Sequence, residues 1–329
     1  MNHRGIGMGF GMGLGLLVST ALLLPLPLYI CALALFGLPH VLWELAWLRQ
    51  RYAGHQPRSW WWAVGGVLLL QSGTRLAIWR DVLDPRAGPV IDLTSLGLLG
   101  AAVLLGPRSS RPTRLAGMLL AIVMGWAFTN DHVLIVLLSL AVLHNFSPLA
   151  LAWDLAREQP AQRATAWFIS ILFALPLLIA VLPAPLPWWL LDLQATLGDA
   201  LNQGLHRLAL PLPNPDLLDG QLAPGWGDDS GRRPTLLSAL VLAQCLHYLS
   251  VIHLLPATGR LRSDAPLLSP RQHALALGLS TALVIGFMID YRNARGLYAV
   301  ASGLHAWLEW PILLLAITTR PTRACQPQN

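Results

Sequence analysis

His305 and Glu309 stand four residues apart in AVASGLHAWLEWPILLLAIT, residues 299–318, a run oily enough that neither is expected there. On an α-helix they share one face, a turn apart. The same His-x-x-x-Glu spacing recurs at His40 and Glu44 in FGLPHVLWELAW. Single histidines interrupt two further apolar runs: His144 in LSLAVLHNFSPLALAW, and His247, followed by His253, in LVLAQCLHYLSVIHLL. Neutral imidazoles ligate divalent transition metals, and four together suit Fe(II) above all, with copper or zinc as alternatives. A four-histidine iron site leaves coordination positions open for O2 or a substrate. Glu44 and Glu309 are placed to accept a free imidazole N–H and fix ring orientation, or to ligate directly. His253 ranks below His247. Six residues on, it is rotated by about 240°, and both reach one ion only if the helix is locally distorted.

What must position these side chains is a membrane scaffold. The 329 residues are 55% hydrophobic and 12% charged, too little polar surface for a soluble globule of this size. The chain contains no Lys, so its net charge of +6 comes from Arg, placed mainly in short loops; nucleic acid is not an expected partner. Three widely spaced cysteines indicate neither a disulfide framework nor a thiolate metal motif. The Gly-rich start resembles a signal peptide without a convincing cleavage site and reads as an uncleaved first span.

Windows long enough to cross about 30 Å of hydrocarbon number about ten, with eight as the lower bound: roughly 6–24, 28–48, 60–79, 89–106, 113–129, 132–156, 164–183, 235–256, 272–290 and 296–318. The expectation is an all-α, polytopic helical bundle forming one domain over 1–329. With the N-terminus inside, one set of loops holds fourteen arginines and the opposite set seven, which places both termini in the cytoplasm of a bacterial inner membrane. The long connection at about 184–234 faces outward and carries an amphipathic segment suited to the membrane surface. On this count His40, His144, His247 and His305 fall within roughly one helical turn of a common depth, and histidines in hydrocarbon usually face a bundle interior. Arg75, with Gln71 and Thr74, reads as a structural charge partner or a snorkelling residue. Trp43, Trp47, Trp307 and Trp310 flank the His/Glu pairs and either line an apolar tunnel or pack against neighbours.

The motif FGLPHVLWE resembles that of the Brp/Blh-type bacterial and archaeal membrane β-carotene 15,15'-dioxygenases, whose early helix carries a similar Gly-x-Pro-His followed four residues later by an acid. The resemblance implies a multi-helix membrane oxygenase with four histidines on Fe(II), His40 among them, and Glu44 where the family has Asp. It further implies oxidative cleavage of a carotenoid or related polyene. The late histidines depart from the family, which sets two of them one turn apart on one helix. The residues by themselves leave three readings: an oxygenase acting with O2 on a lipid-soluble substrate, a bis-histidine haem protein, and a transporter or metal-handling permease with a His/Glu-lined pathway.

Overall fold

A computed structural model of the chain describes residues 3–52, 56–84, 86–104, 111–130, 132–181, 193, 196–197, 233–258 and 268–318. Every regular element among them is helical. In chain order these are α1 (His3–Leu23), α2 (Pro25–Tyr52), α3 (Arg58–Trp79), α4 (Ala87–Leu104), α5 (Arg111–Thr129), α6 (Val133–His144), α7 (Ser147–Glu158), a 3-10 turn (Pro160–Gln162), α8 (Arg163–Val181), α9 (Arg233–Leu249), a π turn (Ser250–Leu254), α10 (Leu255–Thr258), α11 (Pro270–Ile289) and α12 (Tyr291–Thr318). The connection expected at about 184–234 lies outside the described residues, apart from Leu193, Thr196, Leu197 and the first residues of α9.

Among the described residues, five helices are long and apolar enough to cross a membrane: Pro25–Tyr52, Ala87–Leu104, Pro160–Val181, Thr235–Leu254 and Pro270–Ile289. The described parts of the ten expected windows lie largely on helices, but the expected count of about ten spans is not met by these five. The sixth is split into two twelve-residue pieces, α6 and α7. Pro148 has no N–H to donate to the carbonyl of His144. The chain therefore tightens through Asn145 and Phe146, whose N–H groups reach back three residues to Val142 and Leu143, and restarts with Pro148 in the first turn of α7. In α12 the polar and aromatic residues that build the site dilute its apolar character.

The bundle has an apolar core that encloses a few polar side chains, and an oily outer surface. Buried positions include His40, Glu44, Gln71, His247, His305 and Glu309, whereas Leu16, Trp62, Leu69, Leu177, Leu275 and Ile289 stand exposed. Ionisable residues are tolerated in a membrane helix where they face the bundle interior. Large aliphatic side chains pointing outward over many helices are a surface made for lipid acyl chains rather than for water. At the centre lies α12, packed against α2, α3, α4, α5, α7 and α11. A second axis is α2, which meets α1, α9, α11, α12 and the π turn. The four histidine-bearing runs are thereby brought to the core of the bundle.

Candidate metal centre

His40 from α2, His144 from the end of α6, His247 from α9 and His305 from α12 each present one ring nitrogen, and these four atoms lie within 4.8 Å of one another. The ring centroids form a closed quadrilateral: His40 to His305 4.8 Å, His305 to His144 4.7 Å, His144 to His247 4.8 Å and His247 to His40 5.3 Å. The His305 Nε2 atom is 3.2 Å from that of His40 and 3.0 Å from that of His144. Metal–nitrogen bonds of about 2.0–2.1 Å arranged tetrahedrally bring ligand nitrogens to roughly 3.3 Å from each other. The spacing therefore fits imidazoles sharing an ion, and the cluster can hold one.

Two of the rings, those of His40 and His144, meet a polar group behind them. Nδ1–H of His40 donates to the Phe36 carbonyl at 3.0 Å, one turn back on its own helix, which leaves the Nε2 lone pair free for the centre. His144 turns Nδ1 to Glu309 Oε2 at 2.6 Å, while Glu309 Oε1 accepts from Ser147 Oγ at 3.1 Å. Glu309 thus fixes the imidazole of a different helix, not that of His305 on its own. The break after α6 matters here, because it delivers His144 and Ser147 together to the same carboxylate.

Glu44 has the opposite placement. Its Oε2 lies 3.3 Å from His247 Nε2 and 3.7 Å from His305 Nε2, on the inner side of the cluster. Both of its oxygens are buried and accept no hydrogen bond. A carboxylate without donors in a dry interior is costly, and a cation among the imidazoles removes that cost. As carboxylates, Glu44 and Glu309 supply two negative charges, enough to leave a divalent ion with its surroundings neutral overall.

His253 is exposed, in the π turn, and is not part of the four-histidine group. The helix is indeed distorted just after His247, as π turns at functional sites often are, but the distortion does not swing His253 inward. His132 packs against Trp126 and His273 against Trp43, while His55 and His206 lie outside the described residues.

The cluster opens on a cavity of about 270 Å³, to which all four histidines contribute. Trp307 and Trp310 line it, whereas Trp47 is packed in the core. Tyr248 lies with its ring centroid 4.2 Å from that of His40. Three further polar residues escape a search for histidines: Ser147, Tyr248, and Asp92, which pairs with Arg75 at 2.8 Å. An acid in an otherwise apolar run was the available signal for Asp92; for Ser147 it was the neighbouring Pro148.

Comparisons of the chain with protein-family models, with curated proteins and with solved structures find no match.

Proposed function

We infer that the chain is an integral-membrane, non-haem metal oxygenase, using Fe(II) and O2 on a lipid-soluble substrate of the polyene or carotenoid type. It crosses the membrane about ten times with both termini in the cytoplasm. The observation that carries this reading is the quadrilateral of imidazoles, three of them buried and His144 nearly so, with two buried carboxylates, opening on a cavity within an otherwise apolar bundle. His40, His144, His247 and His305 would hold the ion, Glu309 and Ser147 would orient His144, and Glu44 would ligate the ion or face it directly. When bound, the ion would supply an O2-binding Lewis-acid centre. The chain's own contribution is to fix the rings, exclude water and admit an apolar molecule beside the centre. The motif around His40 adds the polyene to this reading.

Two other readings fit less well. A haem clamped by two histidines needs a planar gap between them, and here the remaining two imidazoles occupy that gap. A permease needs a polar route on both sides of its binding residues. On the side that follows the histidines in sequence, Trp47, Leu48, Leu151, Leu255 and Ile312 are nearly fully buried in one apolar cluster, which plugs that route.

The test is turnover. Protein loaded anaerobically with Fe(II) and mixed with a carotenoid under ¹⁸O2 should release aldehydes carrying the label, as both carbon atoms of the cleaved double bond take up oxygen. His144→Ala should abolish release. Absence of product and of O2 consumption across a panel of carotenoids and shorter polyenes contradicts the reading.

A further inference from the structure

The helix that ends in His144 is the least enclosed of the four that build the centre. Among the described residues α6 packs chiefly against α4 and α5, whereas α9 packs against α1, α2 and α8. Around the cavity α9 meets α2, α2 meets α12, α12 meets α4 and α4 meets α6. The ring of helices is thus left loosest between α6 and α9. Its cause is the break at Pro148, which has no N–H for the carbonyl of His144. The chain leaves the line of α6 there, and α7 packs on α8 and α12 instead.

On the α6 side the edge of this gap is aliphatic. Leu137, Leu140 and Ala141 line the cavity, and Ala141 is exposed, as is Leu143 two residues on. His144 follows Ala141 by one turn on the same face. Its side chain keeps 11% of its surface accessible, against 1% for His247 and 2% for His305. His144 and His247 stand on the two helices that flank the gap, with ring centroids 4.8 Å apart. On the α9 side Gln244 donates to the Tyr248 hydroxyl at 2.6 Å, so these two polar groups are used on one another. The charged residues of the cavity wall, Arg75 and Asp92, are paired at 2.8 Å and belong to α3 and α4.

Ala141 lies eight residues after Val133, where α6 begins, or about 12 Å along the helix axis. In a hydrocarbon layer of about 30 Å that level is among the acyl chains, not the headgroups. A path for a hydrated ion or a polar solute needs polar groups along it. Leu137, Leu140 and Ala141 offer none.

We propose that the gap between α6 and α9 is a lateral entrance, through which an apolar ligand passes from the acyl-chain layer to the His144–His247 edge of the centre. Ala141 sets its width. The ligand is then drawn from the membrane and not from water, and the first imidazole it meets is that of His144. This rests on the cavity being the site of a lipid-soluble substrate, but passage can be measured without metal and without turnover.

The test is photolabelling of the full-length protein in lipid nanodiscs with phenyl(trifluoromethyl)diazirine, a small apolar carbene source that partitions into the bilayer. A relative of it carrying a trimethylammonium group is added from the water on both sides. Insertion is mapped by mass spectrometry, with Leu275 and Ile289, exposed on α11, as the reference for lipid-facing positions. The apolar reagent should mark the cavity face of α12 from Ser302 to Trp307, and the charged one should not. Ala141→Trp should lower that marking about tenfold, as expected when a large side chain fills a confined space, while marking of Leu275 and Ile289 stays the same. If Ala141→Trp does not fold, Ala141→Leu should lower it by a smaller factor, and Ala141→Gly should raise it. No marking of α12 by the apolar reagent, marking unchanged by these replacements, or equal marking by the charged reagent overturns the entrance. Metal content measured on the same samples separates the two claims: the expected marking in protein that takes up no metal sinks the oxygenase and leaves the entrance.

Discussion

Replacing Glu309 by Gln keeps the shape of the side chain and removes its charge. In the structure one oxygen of this carboxylate lies 2.6 Å from His144 Nδ1 and the other accepts from the Ser147 hydroxyl, in a site almost wholly shielded from solvent. A hydrogen bond to a charged acceptor contributes about 1.5–3 kcal/mol and a neutral one about 0.5–1.5 kcal/mol. The change should therefore cost about 1–1.5 kcal/mol at the Ser147 hydrogen bond, and the negative charge beside His144 Nδ1 that balances a divalent ion among the rings is lost as well. Together these put the loss of metal affinity at about 10- to 100-fold, the range seen when a carboxylate behind a ligating histidine is removed. Competition with a chelator of known affinity, followed in detergent with Zn(II) or anaerobic Fe(II), reads the number directly. Glu309→Leu, which removes the acceptor as well, should weaken binding further. An affinity unchanged by Glu309→Gln would refute the reasoning, because it would mean that His144 does not meet the ion through the nitrogen opposite Glu309.

The remaining predictions concern the two acids, the packing and the metal. Glu44→Gln should raise the melting temperature of the metal-free protein, since both carboxylate oxygens are buried without donors, and lower that of the loaded protein; a change of the same sign in both would contradict its place beside the ion. Asp154 accepts from Arg51 at 2.6 and 3.1 Å and from the Tyr52 hydroxyl at 2.7 Å, so Asp154→Ala should destabilise the join of α2 and α7 by about 3 kcal/mol, read by thermal unfolding in detergent. Gly37→Ala would set a Cβ 2.9 Å from the Tyr298 ring; the rigid ring must shift, at a cost of about 1–3 kcal/mol, and a melting temperature equal to wild type would refute that packing. Metal at 100 times its dissociation constant should stabilise wild type by about 2.7 kcal/mol and His247→Ala far less.

Much of the site could be read from residue types and depth alone. His40, His144, His247 and His305 stand out because each is expensive in an apolar run, and counting residues from the span ends puts them at one level. Which nitrogen meets which carboxylate could not be read. The i, i+4 spacing places Glu309 on the same face as His305, but a face is shared with neighbouring helices, and the carboxylate reaches across to His144. Ser147 becomes relevant only because Pro148 breaks the helix, and the turn it forces depends on the packing of α7 against α8 and α12. Arg75 announced a need for a charge partner without naming it; Asp92 supplies it from the next helix. The number of spans was the least legible feature: ten windows were expected, and five described helices are long and apolar enough to cross a membrane.

The central claim is that imidazoles from four helices hold one ion. X-ray absorption at the metal edge of protein loaded with Fe(II) or Zn(II), with metal content measured alongside, tests it most directly. The account predicts stoichiometric metal, a first shell of nitrogen and oxygen with about four imidazoles, and loss of one imidazole's scattering or of the metal itself in each of His40→Ala, His144→Ala, His247→Ala and His305→Ala. Protein that takes up no metal, or a metal shell that all four replacements leave unchanged, would contradict it.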